Sequence, residues 1–145
     1  MEIKAKIDIE ANPQQVWDVL TDFQSYSEWN PFISSAAGKP EVGSRLNLSV
    51  CPGDKCFSFK PKITKAEIDL ELRWQGHLLV PGLFDGEHYF TIESLQDGRV
   101  MLTQGERFKG VLRHIILSMI KSDTVVGFQK MNEALKERVE KAGKH

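Results

Sequence analysis

Cysteine and long apolar runs are both scarce in this sequence, and their scarcity excludes several classes of protein. The only cysteines are Cys51 and Cys56. No neighbouring histidine or second cysteine pair completes the four ligands of a structural zinc site, so no metal site is expected. The longest apolar stretch, "VLRHIILSMI", is interrupted by Arg113 and His114. That stretch is too short and too polar to cross a bilayer.

An excess of charge of one sign is also missing. The chain has 19 lysines and arginines against 20 aspartates and glutamates, a formal net charge of −1. No basic block is available to neutralise phosphates, so neither a nucleic acid partner nor stable membrane association is expected. The N-terminal "MEIKAKIDIE" lacks the apolar segment of a secretion signal. We therefore expect a cytoplasmic protein.

What the chain does contain is a series of strand patterns bounded by helical ones. Its 145 residues suit a single globular domain over residues 1–145. Apolar and charged residues alternate over residues 3–10, which predicts a first strand. In "ANPQQVWDVL", Asn12 can cap a helix and Pro13 fits its first turn. The stretch "FQSYSEWNPF" predicts a second short helix that ends before Pro31.

A hairpin is predicted around the two cysteines. The turn "PGDK" is expected to pair Cys51 with Cys56. That register places Val50 opposite Phe57 on the inner face and both cysteines on the outer face. Two free thiols are expected in a reducing cytosol. A cross-strand disulfide is the alternative.

The most regular alternation is found in "EIDLELRWQGH", residues 67–77. Ile68, Leu70, Leu72 and Trp74 fall on one face of the strand that this pattern predicts. The opposite face is polar throughout. Because one face meets water, we expect the sheet to be antiparallel.

A last hairpin is predicted from "EHYFTIESLQDGRVMLTQGERF". A three-residue loop over residues 96–98 requires a left-handed Gly98. This loop pairs His88 with Glu106, whereas a two-residue turn would place Arg107 beside His88. We favour the three-residue loop because it keeps the apolar residues of both strands on the buried face.

From residue 111 to about residue 141, apolar residues recur at spacings of three and four, which predicts an amphipathic helix. Ser122 and Asp123 mark either a break with a new cap or two positions within one continuous helix. An antiparallel sheet with one apolar face must bury that face against such a helix. The order of elements therefore predicts the α+β class.

Four short motifs in this order resemble a known superfamily. They are "WNPF" (residues 29–32), "GLFDGEHYF" (82–90), "GERFKG" (105–110) and "GFQKMNEALKERVE" (127–140). Together they resemble the SRPBCC (START-like) superfamily, in particular its small bacterial polyketide cyclase/dehydrase-type branch. The resemblance implies a helix-grip fold: a seven-stranded antiparallel sheet curled around a long C-terminal helix, with two short helices after the first strand. It also implies a hydrophobic cavity between sheet and helix. No cofactor is expected, because the sequence contains no phosphate loop or metal motif.

Within such a cavity, His88 and Glu106 are the candidate catalytic residues. A carboxylate beside an imidazole stabilises its charged form and can hold it as a general acid or base. The alternative is that the two side chains satisfy each other or orient a ligand. The residues expected to bind the ligand share the inner face of the sheet, the rim or the helix: Trp29, Phe32, Phe59, Trp74, Phe84, His88, Phe90, Gln104, Glu106, Phe108 and Met119.

The favoured function is binding of a small hydrophobic or amphipathic molecule, lipid- or polyketide-like. One alternative is a polyketide cyclase/dehydratase-type enzyme that uses His88 with Glu106. A further alternative is a protein-interaction module whose apolar loop "PGLFDGE" recruits a partner. A solid interior would favour the interaction module, whereas a ligand-sized cavity would favour the first two functions. The sequence does not indicate a particular oligomeric state.

Overall fold

Two antiparallel sheets and one long helix form the computed structural model, which describes residues 1–78 and 80–143. The strands are β1 (Glu2–Ile9), β2 (Ile33–Ala37), β3 (Asn47–Val50), β4 (Phe57–Phe59), β5 (Lys62–Glu67), β6 (Glu71–Leu78), β7 (Phe84–Ser94) and β8 (Val100–Lys109). The α-helices are α1 (Pro13–Thr21), α2 (Tyr26–Trp29) and α3 (Arg113–Ala142). The larger sheet has the order β1-β8-β7-β6-β5 and the smaller β2-β3-β4. None of the helices in these residues is both long and apolar enough to cross a membrane.

The α+β class is confirmed, with the strands curled around α3, but the predicted number of strands is wrong. Seven strands in one sheet were expected, whereas the described ranges contain eight in two sheets. The sheets separate between β4 and β5, where Pro61 has no N–H to continue a ladder. They stay joined at one corner, because the N–H of Leu46 donates to the carbonyl of Pro61 and that of Ile63 to Ser44, both at 2.8 Å.

The N-terminal helix α1 begins as predicted. The Asn12 side chain accepts a hydrogen bond from the N–H of Gln15, and the Gln15 side chain accepts one from the N–H of Asn12, both at 2.9 Å. This reciprocal capping box satisfies two donors at the helix start, and Pro13 lacks a third. A short 3-10 turn then leads into α2, which ends at Trp29, two residues before Pro31.

The predicted register of the β3–β4 hairpin is confirmed, with Val50 opposite Phe57. The expectation of two free thiols is wrong, because Cys51 and Cys56 are joined by a disulfide. Their Cα atoms lie 4.2 Å apart across the ladder end. The directly opposed positions that the register predicted are what bring the two sulfurs within bonding reach.

The single strand predicted for residues 67–77 is wrong, since a turn divides it. β5 ends at Glu67 and β6 begins at Glu71. Ile68 and Leu70, expected on the buried face, are 73% and 56% exposed. Asp69 adopts a left-handed φ of 66°, which an aspartate tolerates better than a branched residue does. Alternation by itself does not reveal such a turn, because the three turn residues continue the same apolar–polar pattern.

The β7–β8 hairpin has the predicted three-residue loop. Gly98 is left-handed, with φ of 81°. His88 lies opposite Glu106, and the register that would have paired it with Arg107 does not occur. The long strands β7 and β8 therefore carry both candidate catalytic side chains at adjacent positions in the middle of the larger sheet.

The C-terminal helix α3 is continuous over 30 residues, so Ser122 and Asp123 mark no break. Its second half supplies the deepest core residues, among them Phe128, Met131 and Leu135. Its first half is different, because most of its side chains from residue 113 to residue 123 remain exposed or half-buried. One end of α3 is thus fixed in the core, while the other end extends past the packed region.

Close packing of α3 against the segment before β2 depends on a glycine. A Cβ on Gly127 would overlap the ring of Phe32. Phe32 is buried, and its ring also packs edge-on against Phe128 with centroids 5.5 Å apart. Since the ring is buried and packed against Phe128, any larger side chain at residue 127 would have to displace it.

We expect Gly127→Ala to lower the free energy of unfolding by about 1–2 kcal/mol, because overpacking at Phe32 outweighs the better helix propensity of alanine. Urea denaturation measures this change. Gln129→Ala, at an exposed site on the same helix, is the control and should stay within about 0.5 kcal/mol of the wild type. A more stable Gly127→Ala protein would show that the packing at Phe32 is not tight.

Candidate functional site

A cavity of about 390 Å³ is enclosed by three parts of the fold. They are the smaller sheet, the first half of α3, and the end of the larger sheet formed by the C-terminal part of β6 and the neighbouring parts of β7 and β8. This volume is within the range of small-molecule sites. Most of its wall is apolar. The lining consists of Phe32, Ile33, Leu48, Val50, Pro52, Phe57, Phe59, Pro61, Trp74, Gly76, His77, Leu78, Phe84, Gly86, His88, Glu106, Phe108, Ile116, Met119, Ile120 and Thr124.

Most of the predicted ligand-binding residues line this cavity. They are Phe32, Phe59, Trp74, Phe84, His88, Glu106, Phe108 and Met119. Trp29, Phe90 and Gln104 do not. Trp29 packs edge-on against Tyr26, with ring centroids 5.2 Å apart. Phe90 and Gln104 are completely buried and form the next pair on the same face of β7 and β8, beyond His88 and Glu106.

The mouth of the cavity is marked by lining residues that are also exposed to solvent. Phe57 of β4, Leu78 of β6 and Met119 of α3 are 47%, 38% and 75% exposed. They come from three different elements that all contribute to the same wall. The cavity therefore opens between the β3–β4 hairpin, the end of β6 and the unpacked half of α3.

Phe84, the first residue of β7, lines one side of the cavity directly after a loop that ends at Leu83. Phe84 stacks on Phe108, with ring centroids 5.3 Å apart and planes 13° from parallel. The loop is tied to the start of α3, because the N–H of Val111 donates to the carbonyl of Gly82 (3.0 Å) and that of Leu112 to Leu83 (2.9 Å). Phe84 is therefore part of a wall held by backbone hydrogen bonds.

His88 lies at the inner end of the cavity with both ring nitrogens occupied. Its side chain is 5% exposed. Nδ1 lies 2.7 Å from Oε1 of Glu106, and Nε2 lies 2.9 Å from Oε1 of Gln104. The imidazole also stacks on Trp74, with centroids 5.0 Å apart and planes 12° from parallel. The ring is consequently held on two edges and one face.

A chain of hydrogen bonds behind His88 decides where its protons are. The Ala5 carbonyl can only accept, so Asn132, which is bonded to it at 3.1 Å, must donate with Nδ2. Asn132 then turns Oδ1 toward Gln104, which donates to it with Nε2 at 2.9 Å. The same Nε2 also faces the carbonyl of Phe128 at 3.5 Å. Gln104 is thereby left with Oε1 toward His88.

It follows that Nε2 of His88 carries a hydrogen, because its partner, Oε1 of Gln104, is an acceptor. The assignment rests on two backbone carbonyls whose polarity is fixed, so neither amide can be turned over without placing acceptor against acceptor. Gln104 and Asn132 are thus positioning residues for His88. Gln104 was predicted as a ligand-binding residue, since strand alternation reports only which face a residue occupies, and Asn132 was not singled out by the sequence.

Glu106 is the member of this cluster whose side chain reaches the cavity with a free edge. Oε1 is occupied by His88, while Oε2 lies over Gly86, where a Cβ would overlap it. The side chain remains 24% exposed. The absence of a side chain at residue 86 is what makes room for the carboxylate at the cavity wall.

This chain can be compared with known proteins by three features: a curled antiparallel sheet, a long C-terminal helix and an apolar cavity between them. The family of polyketide cyclase/dehydrase and lipid transport proteins has a model that matches residues 1–140. The chain belongs to this family. No curated protein matches it.

Solved structures share the fold of this polyketide cyclase/dehydrase-type chain at low sequence identity. The ZhuI aromatase/cyclase from Streptomyces sp. R1128 is 13% identical, with a TM-score of 0.74 over 99% of this chain and 96% of its own. A START superfamily protein from Mycobacterium smegmatis is 17% identical, with a TM-score of 0.73 over 97% and 98%. A norcoclaurine synthase point mutant from Thalictrum flavum is 12% identical, with a TM-score of 0.76 over 99% and 96%.

Several lining residues of this family member were missed by sequence reasoning. Ile116 and Ile120 flank Met119 on α3 at helical spacing. The periodicity of "IILSMI" could have placed them on the same side. Leu78 and His77 could not have been found in this way, because they lie at the end of β6, where only the position of the β3–β4 hairpin makes them part of a wall.

The disulfide holds one side of the mouth. It closes the hairpin that carries the lining residues Val50, Pro52 and Phe57. The hairpin tip lies close to α3, since a Cβ on Gly53 would be 3.1 Å from the Asp123 carboxylate. Reducing the disulfide releases the end of the ladder next to the cavity.

We expect dithiothreitol to lower the stability of the wild type by about 2 kcal/mol, the loop-closure entropy of so short a ring, with a fall in Tm of roughly 6 °C. Thermal unfolding followed by circular dichroism measures this. The Cys51→Ser, Cys56→Ser double variant should unfold at the lower temperature with or without dithiothreitol. Equal Tm values for the oxidised wild type and the double variant would contradict the expectation.

We expect Gln104→Met to lower the free energy of unfolding by about 3 kcal/mol. The substitution keeps the volume but leaves the N–H of His88 and Oδ1 of Asn132 without partners, each at a cost of about 1–3 kcal/mol. Urea denaturation measures this, with Glu93→Met, at an exposed site of β7, as the control. A loss below about 1 kcal/mol would show that the buried network is not needed for stability.

Proposed function

We propose that the protein binds a small hydrophobic or amphipathic molecule, lipid- or polyketide-like, in the cavity between the sheets and α3. The observation that carries this proposal is the apolar cavity of about 390 Å³. If this space were dry, its creation would cost about 9 kcal/mol, which is comparable to the whole stability of a domain. The space must therefore be filled by water or by a ligand.

The character of the wall favours a ligand over water. Aromatic rings from several elements face the cavity, including Phe59, Trp74, Phe84 and Phe108. Water against such a wall makes few hydrogen bonds, so its displacement by an apolar molecule is favourable. The volume equals that of about thirteen water molecules, which suits a ligand of modest size. Residues 1–145 would act as one ligand-binding domain, because the wall takes side chains from β2 to α3.

The family supports the same class of ligand. The family comprises polyketide cyclases, dehydrases and lipid transport proteins, all of which handle apolar molecules. An aromatase/cyclase is among the proteins that share the fold. These likenesses support an apolar ligand without naming it.

A polyketide cyclase/dehydratase-type enzyme is the second candidate. The observation in its favour is the pair of His88 and Glu106, 2.7 Å apart at the cavity wall. Since both nitrogens of His88 are occupied by protein side chains, Glu106 would be the residue that contacts substrate, with His88 positioning it. Binding is better supported than catalysis because it requires no second reactive group. An interaction module, which a solid interior would have favoured, has the least support.

The proposal is tested with N-phenyl-1-naphthylamine, a neutral dye whose fluorescence rises in apolar surroundings. We expect saturable binding of one dye per chain. Ile120→Trp should weaken binding at least tenfold, because Ile120 lines the cavity and the larger ring fills part of it.

Val126→Trp is the matched control, since Val126 lies on the same helix and is 45% exposed. This variant should bind the dye as the wild type does. Circular dichroism of both variants checks that each is folded. Dye binding that is not saturable, or that is equally strong in the Ile120→Trp protein, would place the dye outside the cavity and contradict the proposed function.

A further inference from the structure

We propose that the cavity selects neutral apolar molecules that carry a hydroxyl group, and that it discriminates against carboxylates of the same shape. This inference rests on the proposed function, because it specifies the class of ligand that the cavity takes. It is carried by the hydrogen-bond polarity of Glu106, which the buried chain from Ala5 through Asn132 and Gln104 to His88 determines.

The first step concerns the proton between His88 and Glu106. Nε2 of His88 already carries a hydrogen, because Gln104 presents an acceptor to it. Nδ1 lies only 2.7 Å from Oε1 of Glu106. Without a proton between them, a nitrogen lone pair and a carboxylate oxygen would face each other at that distance, in a site where the imidazole is buried. One proton is therefore held between the two side chains.

The second step concerns the other oxygen of Glu106. If the shared proton is on Nδ1, the side chains are an imidazolium and a carboxylate, and Oε2 is an acceptor. If the proton is on Oε1, His88 is neutral and Oε2 is the carbonyl oxygen of a carboxylic acid, which is again an acceptor. Oε2 is therefore a hydrogen-bond acceptor beside Gly86, whichever of the two atoms holds the proton. A ligand must therefore bring a donor to this point.

The third step concerns charge. In both proton arrangements, His88 and Glu106 together are neutral. A ligand carboxylate would bring acceptor oxygens against Oε2 and would lose its hydration in an apolar cavity without a compensating charge. An ammonium group is a donor, but its net charge would also be buried without a counter-ion. A neutral hydroxyl donates a hydrogen bond to Oε2 without burying a net charge.

The other polar lining side chains do not alter this preference. His77 lies at the exposed end of β6, and Thr124 lies on α3, across the cavity from the sheet. A hydroxyl on Thr124 can donate or accept, so it does not discriminate between ligand groups. Glu106 is the group that imposes a single polarity on the inner end of the cavity.

Three probes of nearly equal shape test the inference: 2-naphthol, 2-methylnaphthalene and 2-naphthoate near pH 7. They present a neutral donor, no polar group and an anionic acceptor. Displacement of N-phenyl-1-naphthylamine from the full chain gives the three affinities. We expect 2-naphthol to bind about tenfold more tightly than 2-methylnaphthalene, and 2-naphthoate to bind at least tenfold more weakly than 2-methylnaphthalene.

Two variants locate the effect at Glu106. In Glu106→Gln, the new amide N–H can donate to the lone pair of Nδ1 and leave its oxygen toward the cavity, so the preference for 2-naphthol should persist. Glu106→Met keeps a similar volume but has no acceptor, so 2-naphthol and 2-methylnaphthalene should bind equally. Loss of the preference in the glutamine variant, or its retention in the methionine variant, would contradict the assigned polarity.

The outcomes separate this inference from the proposed function. If the wild type binds 2-naphthol and 2-methylnaphthalene equally, or 2-naphthoate most tightly, the ligand class is wrong while the apolar site stands. If the dye binds the wild type, is weakened by Ile120→Trp and is displaced by none of the three probes, the ligand class is wrong while the apolar site stands. If the dye itself fails the test with Ile120→Trp, the proposed function is wrong. The order of the three affinities in the wild type tests the ligand class by itself, so the test remains valid even where a variant is poorly folded.

Discussion

The contact between the second half of α3 and the larger sheet is the constraint on which the rest of the structure depends. A helix of 30 residues is about 45 Å long, longer than the part of the sheet that it covers. Phe128, Met131 and Leu135 of its C-terminal half are completely buried. The N-terminal half must then extend over the open end of the curled strands. The cavity is the space left under that half.

The same contact explains why polar groups are buried behind an apolar site. Asn132 lies between the carbonyl of Ala5 and the amide of Gln104, so one helix residue connects β1 with β8. Each donor in this chain meets an acceptor, which keeps the cost of burial low. The network ends at His88 and Glu106, which line the cavity. The polarity presented to a ligand is therefore decided in the packed core between the larger sheet and α3.

Much of the fold and part of the site could be predicted from local pattern. The pairing of His88 with Glu106 followed from the apolar alternation of β7 and β8 together with a left-handed Gly98. The error at Ile68 and Leu70 shows the limit of the method, since alternation persisted through a turn. Alternation also could not show that Gln104 is completely buried while Glu106, two residues along the same strand face, reaches the cavity.

Sequence by itself determined the helix cap at Asn12, the register of the β3–β4 and β7–β8 hairpins and the α+β class, because each depends mainly on local patterns in the chain. Only the tertiary structure decided the number of sheets, the mouth of the cavity and the direction of the hydrogen bonds at His88. These features depend on groups as distant in sequence as Ala5 and Asn132. The physical reason is that a strand or helix pattern specifies only which face a side chain occupies. The shape of a cavity and the position of a proton depend on which residues from other parts of the chain contact that face.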